Sequence, residues 1–294
     1  MIDAVGEISI PGFKKFKSGK VREVYDLAAH FLIVATDRIS AFDYILPTLI
    51  PEKGKILNKL SAFWFKKTKD LIENHFVTDV IEEYPQGLRK FKDILDGRSM
   101  LVKKAELIEI ECVVRGYIAG SAWQEYKKSG TIGGIGFKNL KEGDKLPSPL
   151  FTPATKAQSG HDENISFQKA QDLIGKKDAE YTRDKSVELY NFAHDFALNR
   201  GIIIADTKIE FGHLDKKIIL IDEIFTPDSS RFWDLALYKP GGSQPSFDKQ
   251  FVRDYLLSTG WDRNSPPPEL PKDIVEKTLA RYKEALKKLS GIEI

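Results

Sequence analysis

Acidic side chains on two aliphatic runs near residue 210 are the strongest chemical signal in the sequence. Ile202–Ala205 and Ile218–Ile221 flank a short polar turn and predict a β-hairpin. With a turn centred near Lys216, Glu210 on one strand is expected opposite Asp222 on the other. Opposed carboxylates repel each other, and a divalent cation between them removes that conflict. Mg²⁺ prefers one or two carboxylates plus substrate phosphates, so the pair indicates a nucleoside triphosphate; a solvated acidic face is the alternative.

The same segment carries further charged side chains. Strand alternation places Asp206, Lys208 and Glu210 on one face. Lys208 is expected either to form a structural salt bridge or to lie beside phosphates. In the turn that follows (TPDSSR), Asp228 and Arg231 are expected to reach the same cleft, and Arg231 suits a bidentate contact with a carboxylate or phosphate.

Two glycine-containing segments supply candidate phosphate contacts. Gly19 allows close approach of the backbone to a phosphate, and Lys20 and Arg22, two apart on a predicted strand, share one face. The spacing is neither GxxxxGK[ST] nor GxGxxG. Arg115 ends an apolar strand just before Ser121, which is expected to open a helix with a capping box, a natural site for an anion. Exposed basic residues and a simple capped helix are the alternatives.

Two polar loops complete the set of candidate residues. Thr36–Asp43 (TDRISAFD) follows a buried strand, so Asp43 is expected in a loop of the kind that substrate sites favour. A turn held by its own Asp and Ser side chains is the alternative. Lys156–Asn164 (KAQSGHDEN) is dense in donors and acceptors. His161 has no second His or Cys at ligand spacing, so an ordered substrate loop is expected rather than a zinc site.

Strands and helices must position these residues. The first hundred residues read mostly as strands, and Gly130–Pro153, rich in glycine and proline, is expected to be a long surface excursion. Apolar spacing and capping signals predict helices near residues 55–69, 121–130, 166–174, 183–200, 248–258 and 272–289.

Composition limits the classes of protein to which the chain can belong. The 294 residues are 41% hydrophobic, which supports a sizeable core and excludes wholesale disorder. The net charge of +2 gives no electrostatic case for non-specific binding to nucleic acid or a membrane surface. Cys112 is the single cysteine, so no intramolecular disulfide forms and an inert core position is expected. No stretch approaches the ~18 apolar residues of a membrane span. We expect a cytoplasmic protein.

Six motifs in the chain resemble those of one family. They run in order from about Gly19 to Tyr255 and resemble the phosphoribosylaminoimidazole-succinocarboxamide synthase (SAICAR synthetase) family. The glycine-rich excursion and the helical C-terminus resemble its longer, yeast-like form. The motifs are GKVREVYD, TDRISAFD, ECVVRGYIAGSAW, TPATKAQSGHDENIS, DTKIEFG and LIDEIFTPDSSRFWD.

The resemblance implies an α+β fold of two lobes around an ATP cleft. Residues 1–107 would form an ATP-binding, kinase-like lobe, mainly of antiparallel sheet. Residues 108–294 would form a lobe of mixed sheet and helices with the substrate and metal site, an insertion at about 130–153 and the C-terminal helices. The implied enzyme is a carbon-nitrogen ligase of de novo purine biosynthesis. It joins L-aspartate to carboxyaminoimidazole ribonucleotide (CAIR) with ATP and Mg²⁺, through an acyl phosphate, and gives SAICAR, ADP and phosphate.

The resemblance also implies partners and residue roles. The partners are the small-molecule substrates, without nucleic acid or membrane, and both monomer and homodimer stay open. The spacing to the TPDSSR turn leaves the choice of metal ligand open between Asp222 and Glu223. The implied residues are Gly19, Lys20, Arg22, Lys103, Glu106 and Leu107 for ATP; Asp43, Arg115, Ser121, His161, Asp228 and Arg231 for the substrates; Lys208, Asp228 and Arg231 for catalysis; and Glu210 and Asp222 for Mg²⁺.

Two other functions share part of the pattern. An ATP-dependent small-molecule kinase would use the same glycine turn and paired carboxylates, although the sequence has no HRD-like loop and no DFG. A non-catalytic nucleotide sensor would bind ATP without consuming it. Release of ADP and phosphate only when aspartate is present would separate the ligase from both.

Overall fold

Two compact units make up the part of the chain that the computed structural model describes, residues 4–156 and 163–294. No helix among these residues has both the length and the apolar character needed to cross a membrane. The first unit comprises the described residues of Met1–Lys67 together with His75–Lys104 and Phe247–Ile294, and the second comprises Thr68–Asn74 and the described residues of Ala105–Ser246.

Helices occupy nearly the positions that apolar spacing predicts. The largest difference is the helix predicted from residue 183, which begins earlier, directly after Gly175. The helices of the described residues are α1 (Lys53–Lys67), α2 (Gln86–Arg89), α3 (Lys92–Leu95), α4 (Gly120–Ser129), α5 (Phe167–Ile174), α6 (Lys176–Leu198), α7 (Gln250–Ser258) and α8 (Lys272–Ser290), with a 3-10 turn at Ile81–Glu83.

Strands form antiparallel sheets in both units. Their bounds are β1 (Lys14–Ser18), β2 (Arg22–Asp26), β3 (His30–Ala35), β4 (Ser40–Ala41), β5 (Tyr44–Ile45), β6 (Phe76–Thr78), β7 (Ser99–Lys103), β8 (Glu106–Leu107), β9 (Ile110–Tyr117), β10 (Thr131–Ile132), β11 (Ile135–Gly136), β12 (Lys145–Phe151), β13 (Ala154–Thr155), β14 (Ile202–Leu214), β15 (Lys217–Ile221) and β16 (Ser230–Asp234).

The first unit is built on a five-stranded sheet in the order β1-β2-β3-β7-β6. Alternate residues of β2 and β3 point to one side, so Tyr25, Leu32 and Val34 are buried in a common core with Leu101. Helix α1 packs on β3 and β7. The predicted antiparallel N-terminal sheet is therefore present.

The C-terminal helices pack within the first unit rather than with the second. Val252 and Leu256 of α7 share a core with Ile39 and Ile50, and α8 packs against α1. The family resemblance had implied that these helices belong with residues 108–294. The functional division into lobes stays a prediction.

The second unit is organised around β14, a strand of 13 residues that is long enough to pair with several neighbours. It pairs with β9 and β16 near its start and with β15 and β8 near its end. Helix α6 covers one face of β14 and β9. Cys112 of β9 lies buried on that face, and burial raises the pKa of its thiol to about 12, as expected of an inert core cysteine.

The segment predicted as a long surface excursion is more regular than its composition suggested. Strands β10 and β11 form a short hairpin, and β12 joins the large sheet beside β9. The long surface excursion predicted over residues 130–153 therefore contains a strand, β12, that was not predicted. Its weak periodicity concealed a strand whose pairing is set by β9, a partner that lies far away along the sequence.

Candidate active site

A carboxylate between two guanidinium groups lies near the centre of the large sheet. Asp206 of β14 is directly opposite Arg115 of β9 on one side and Arg231 of β16 on the other. Opposed residues share a sheet face, so all three side chains meet. Arg115 Nη1 donates to Asp206 Oδ2 at 3.0 Å, and Arg231 Nη1 donates to the same oxygen. The Arg115 and Asp206 side chains are only 5% and 7% exposed.

All three nitrogens of the Arg115 guanidinium group donate hydrogen bonds. Its Nε donates to Thr152 Oγ1 at 2.8 Å, and its Nη2 donates to Ser121 Oγ at 3.0 Å. Burial lowers the pKa of Arg115, whereas the charge of Asp206 raises it. An arginine keeps its charge under such conditions, so the group is a fixed cation. The structure therefore brings together Arg115 and Ser121, as expected.

The predicted capping box at Ser121 was wrong. Helix α4 begins one residue earlier, at Gly120, and its N-cap Ala119 offers no side-chain acceptor. The Ser121 hydroxyl accepts the hydrogen bond from Arg115 instead. A hydroxyl that would stabilise the helix end is thus part of the candidate site.

Two glycines make room for this arrangement. Gly120 has φ +54, and a Cβ there would lie 2.1 Å from Arg231 Nη2. A Cβ on Gly116 would lie 1.9 Å from the hydroxyl oxygen of Tyr190, which donates to the Ile204 carbonyl at 2.7 Å. Any larger residue at either position must displace a side chain that supports the site.

Lys208 is the centre of a second cluster on the same face of β14. Its Nζ donates to Glu111 Oε1 at 2.5 Å and lies 3.6 Å from Glu210 Oε1, and Lys156 also pairs with Glu210. Although burial lowers the pKa of Lys208, the carboxylates of Glu210, Glu111 and Asp222 raise it above its usual value. Lys208 is therefore a cation among three acidic groups.

Glu111 was missed by the sequence analysis. Together with Val113 and Arg115 it forms an alternate set along β9, and alternate residues of a strand share one face. Val113 is opposite Lys208 in the register, which brings Glu111 within reach of the lysine. That alternation was visible in the sequence, whereas the pairing of β9 with β14 was not.

The predicted register of the hairpin was wrong by one residue. Glu210 is opposite Ile221, not Asp222, because the strands are joined by the two-residue turn Asp215–Lys216, in which both φ values are positive. Asp222 follows the end of β15 with φ +67, a left-handed conformation that breaks strand alternation. Its charge nevertheless acts on Lys208.

The turn before β16 is fixed by Thr226. The backbone N–H groups of Asp228 and Ser229 each donate to Thr226 Oγ1 at 3.2 Å, and that hydroxyl donates to Glu223 Oε2 at 2.9 Å. Such a turn is held by its own short polar side chains. It presents Asp228, half-buried, three residues before Arg231. Glu223 thus helps to hold this turn, and the assignment of Asp222 as a metal ligand stays a prediction.

The acidic residues are candidate ligands for a magnesium ion. No group of three or more His, Cys, Asp or Glu side chains within residues 4–156 and 163–294 is arranged to hold a metal. Glu210 is 7% exposed, yet each of its carboxylate oxygens lies close to an ammonium group, so its position attracts cations. Two carboxylates with substrate phosphates are sufficient for Mg²⁺.

Candidate residues of the first unit lie on turns. Lys20 is in the turn between β1 and β2, so the prediction that it shares a strand face with Arg22, the first residue of β2, was wrong. Its Nζ lies 2.5 Å from Asp43 Oδ1. Phe42 and Asp43 form the two-residue turn between β4 and β5, with φ values of +50 and +69.

The remaining candidate residues are placed less centrally. Lys103 ends β7 of the first unit, where its N–H donates to the His75 carbonyl at 2.7 Å. Glu106 and Leu107 form β8 of the second unit and pair with β14 just beyond Glu210. The prediction at His161 lies outside the described residues.

Comparison with known proteins identifies the family of the chain. The family model for SAICAR synthetase matches residues 15–268. The phosphoribosylaminoimidazole-succinocarboxamide synthase of Thermodesulfovibrio yellowstonii is 53% identical over 292 residues, which cover 99% of this chain and 100% of that protein.

Solved structures show the same similarity. The SAICAR synthase of Saccharomyces cerevisiae complexed with SAICAR has a TM-score of 0.91 and 44% identity, with 99% of each chain covered. A type-2 SAICAR synthetase in complex with ADP has a TM-score of 0.70 and 24% identity, with 95% of this chain and 98% of that chain covered, and so shares the fold. The predicted family and its longer, yeast-like form are confirmed. The chain therefore belongs to the SAICAR synthetase family.

Proposed function

We propose that the protein joins L-aspartate to the carboxylate of CAIR and converts ATP to ADP and phosphate in de novo purine biosynthesis. One observation carries this proposal: the row of Arg115, Asp206 and Arg231 lies on the same sheet face as Lys208 and Glu210. The face thus offers fixed cations for an anionic ribonucleotide beside carboxylates for a metal ion. A relative with 44% identity is complexed with SAICAR, the expected product.

The arginine row and the turn before β16 hold the ribonucleotide. Arg115 and Arg231 suit the phosphate and carboxylate of CAIR, because a guanidinium group donates two parallel hydrogen bonds to either anion. Asp206 already fixes both arginines, so little reorganisation is needed on binding. Ser121 and Asp228 are the further substrate contacts that we propose.

Glu210 and Asp222 are the residues that would hold Mg²⁺ beside the triphosphate. The bound ion supplies neutralisation of charge on the phosphates. Lys208 also has Glu111 as a partner, and this contact would keep the ammonium group in place if Glu210 held a metal ion. Proposed ATP contacts elsewhere are Gly19, Lys20, Arg22, Lys103, Glu106 and Leu107.

The reaction needs positioning and charge neutralisation more than a nucleophilic side chain. A carboxylate oxygen of CAIR attacks the γ-phosphorus, the bond to the bridging oxygen breaks, and ADP leaves. The aspartate nitrogen then attacks the acyl carbon, phosphate leaves, and the nitrogen loses a proton. Lys208 and Arg231 balance negative charge on the transferred phosphoryl group. Cys112, buried and with a pKa of about 12, takes no part.

A coupled assay that omits each of CAIR, aspartate and Mg-ATP in turn tests the proposal. We expect ADP and phosphate to appear together, and only when all three are present. Release of ADP without phosphate would indicate a small-molecule kinase. Binding of ATP without consumption in any mixture would indicate a nucleotide sensor. Either result contradicts the proposed ligase.

Three further expectations stay predictions. These are the cytoplasmic location, the absence of nucleic-acid and membrane partners, and a monomeric or homodimeric state. Gel filtration with light scattering of the full chain will decide the last of them.

A further inference from the structure

Arg38 contacts the turn Gly19–Arg22 from one side but has no part in the function proposed above. Its Nε donates to the Lys20 carbonyl at 2.9 Å, and its Nη2 donates to the Gly19 carbonyl at 2.9 Å. One guanidinium group therefore holds two successive carbonyls of the turn. The Gly19 N–H in turn donates to the Arg22 carbonyl at 2.8 Å, which closes the hairpin.

A buried carboxylate fixes Arg38 itself. Arg38 Nη1 donates to Glu23 Oε1 at 2.8 Å and to the Gly6 carbonyl at 2.6 Å. The Glu23 side chain is 1% exposed and has Lys15 as a second partner, at 3.3 Å. A buried carboxylate requires such partners, so the guanidinium group is held in one place. Glu23 thus holds Arg38, and Arg38 holds the two carbonyls of the turn.

Because the peptide bond is planar, these contacts also set the direction of the N–H groups on the opposite side of the turn. In a trans peptide the carbonyl of one residue and the N–H of the next point in opposite directions. With the Gly19 and Lys20 carbonyls facing Arg38, the N–H groups of Lys20 and Val21 face away from it. Among the residues that the structure describes, neither N–H group donates a backbone hydrogen bond. Successive N–H groups on one side form a concavity that binds anions.

We propose that Arg38, anchored by Glu23, is a positioning residue for nucleotide binding that turns the N–H groups of Lys20 and Val21 toward the phosphates of ATP. This inference rests on the proposed function, in which the Gly19–Arg22 turn contacts those phosphates. Arg38 does not touch the nucleotide. It holds the backbone so that no reorganisation is needed when the triphosphate arrives.

Three variants test the inference. Arg38→Gln removes the fork that holds both carbonyls, and Lys20→Gln removes the proposed direct contact. Arg89→Gln is the matched control, because Arg89 donates to a backbone carbonyl of the same unit, that of Tyr84, at 2.7 Å. For each protein we would measure kcat, the KM values for ATP, CAIR and aspartate, and the melting temperature.

We expect Arg38→Gln to raise the KM for ATP about tenfold and to leave the KM for CAIR and aspartate within about twofold. The control Arg89→Gln should change none of the three. Arg38→Lys should be intermediate, since an ammonium group keeps the charge beside Glu23 but lacks the planar fork. Should Arg38→Gln not fold, Arg38→Lys still provides the comparison of KM values.

Two results would overturn the inference. In one, Arg38→Gln leaves the KM for ATP within about twofold of wild type, or raises all three KM values alike as a general loss of stability would. If Lys20→Gln raises the KM for ATP while Arg38→Gln does not, the inference about Arg38 is wrong but the proposed ATP contact of Lys20 stands. In the other, neither Arg38→Gln nor Lys20→Gln changes the KM for ATP, and the proposed ATP contact of the turn fails together with the inference.

Discussion

Candidate residues in the two units differ in how they are held. In the second unit, Asp206 and Arg115 lie on neighbouring strands with side chains that are 7% and 5% exposed. In the first unit, Lys20 and Asp43 lie on separate turns with side chains that are 49% and 50% exposed. Both pairs join opposite charges. Strand register places only the buried pair. Only in that pair does the loss of one partner leave the other charge buried, without a partner and without contact with water.

The difference indicates which part of the site is prepared before substrate binds. The arginine row is held by hydrogen bonds on several sides, so its geometry persists without a ligand. Water and salt screen the exposed pair of Lys20 and Asp43. Either side chain can therefore leave its partner and contact a ligand at little cost in free energy. We expect ribonucleotide contacts to be preformed and the Lys20 contact to be made on binding.

The largest effect is expected for Asp206→Asn. Loss of this charge leaves the guanidinium groups of Arg115 and Arg231 close together with no carboxylate between them. We expect the free energy of unfolding to fall by about 3 kcal/mol or more, because breaking a buried ion pair strands its partner. Urea denaturation measures this. A loss below about 1 kcal/mol would show that the row is no more fixed than a surface pair.

Glu210→Gln is expected to affect turnover rather than folding. The amide oxygen can still accept a hydrogen bond from one of the two lysines, which contact different oxygens of Glu210, but the amide cannot serve as an anionic metal ligand. We expect kcat to fall by at least about 100-fold, and we expect added Mg-ATP to raise the melting temperature of wild type but not of this variant. Glu188→Gln is the control, since Glu188 forms an exposed pair with Lys185. Wild-type turnover at low Mg²⁺ would exclude the metal assignment.

A smaller effect on the free energy of unfolding is expected from the Glu23 carboxylate, which holds Arg38 beside the Gly19–Arg22 turn. Burial raises the pKa of Glu23, but hydrogen bonds from Ser18, Arg38 and Lys15 lower it more, so the pKa lies below the ordinary 4.5. A pKa that folding lowers adds stability above pH 4.5, and this stability is lost as pH falls through the folded-state pKa. Unfolding of wild type and Glu23→Gln between pH 7 and pH 3 should therefore converge toward acid. Parallel curves would contradict the lowered pKa.

The smallest effect is expected for Asp43→Asn. Its partner Lys20 is half exposed, so the free energy of unfolding should change by less than about 1 kcal/mol. The same urea experiment as for Asp206→Asn gives the ratio of the two losses. A loss equal to that of Asp206→Asn would remove the distinction between the two regions.

Much of the site could be predicted from short-range pattern. Alternation along β14 correctly grouped Asp206, Lys208 and Glu210, because strand geometry repeats every two residues wherever the strand lies. The hairpin between β14 and β15 was also predicted. Its register was not, since moving the turn centre by half a residue shifts every pairing by one.

Other residues depended on contacts between distant segments. Asp37 lies in the polar loop that was predicted to serve a substrate, yet it is fully buried and accepts hydrogen bonds from Gly54 N–H at 2.8 Å and Arg98 Nη1 at 3.0 Å. It therefore has a structural role, through partners that lie outside the loop. Ser121 shows the reverse, because a residue typical of a helix cap serves an arginine instead. Local propensity describes what a side chain can do, and its nearest partner decides what it does.

The sequence by itself determined the family, the residue types of the chemistry and the alternation that places them on strand faces. All of these depend on order along the chain. Only the tertiary structure decided that Asp206 has an arginine on each side, that Glu111 holds Lys208, and that Asp222 has a left-handed backbone at the end of β15. These facts follow from strand pairing and register, which depend on packing among segments far apart in sequence.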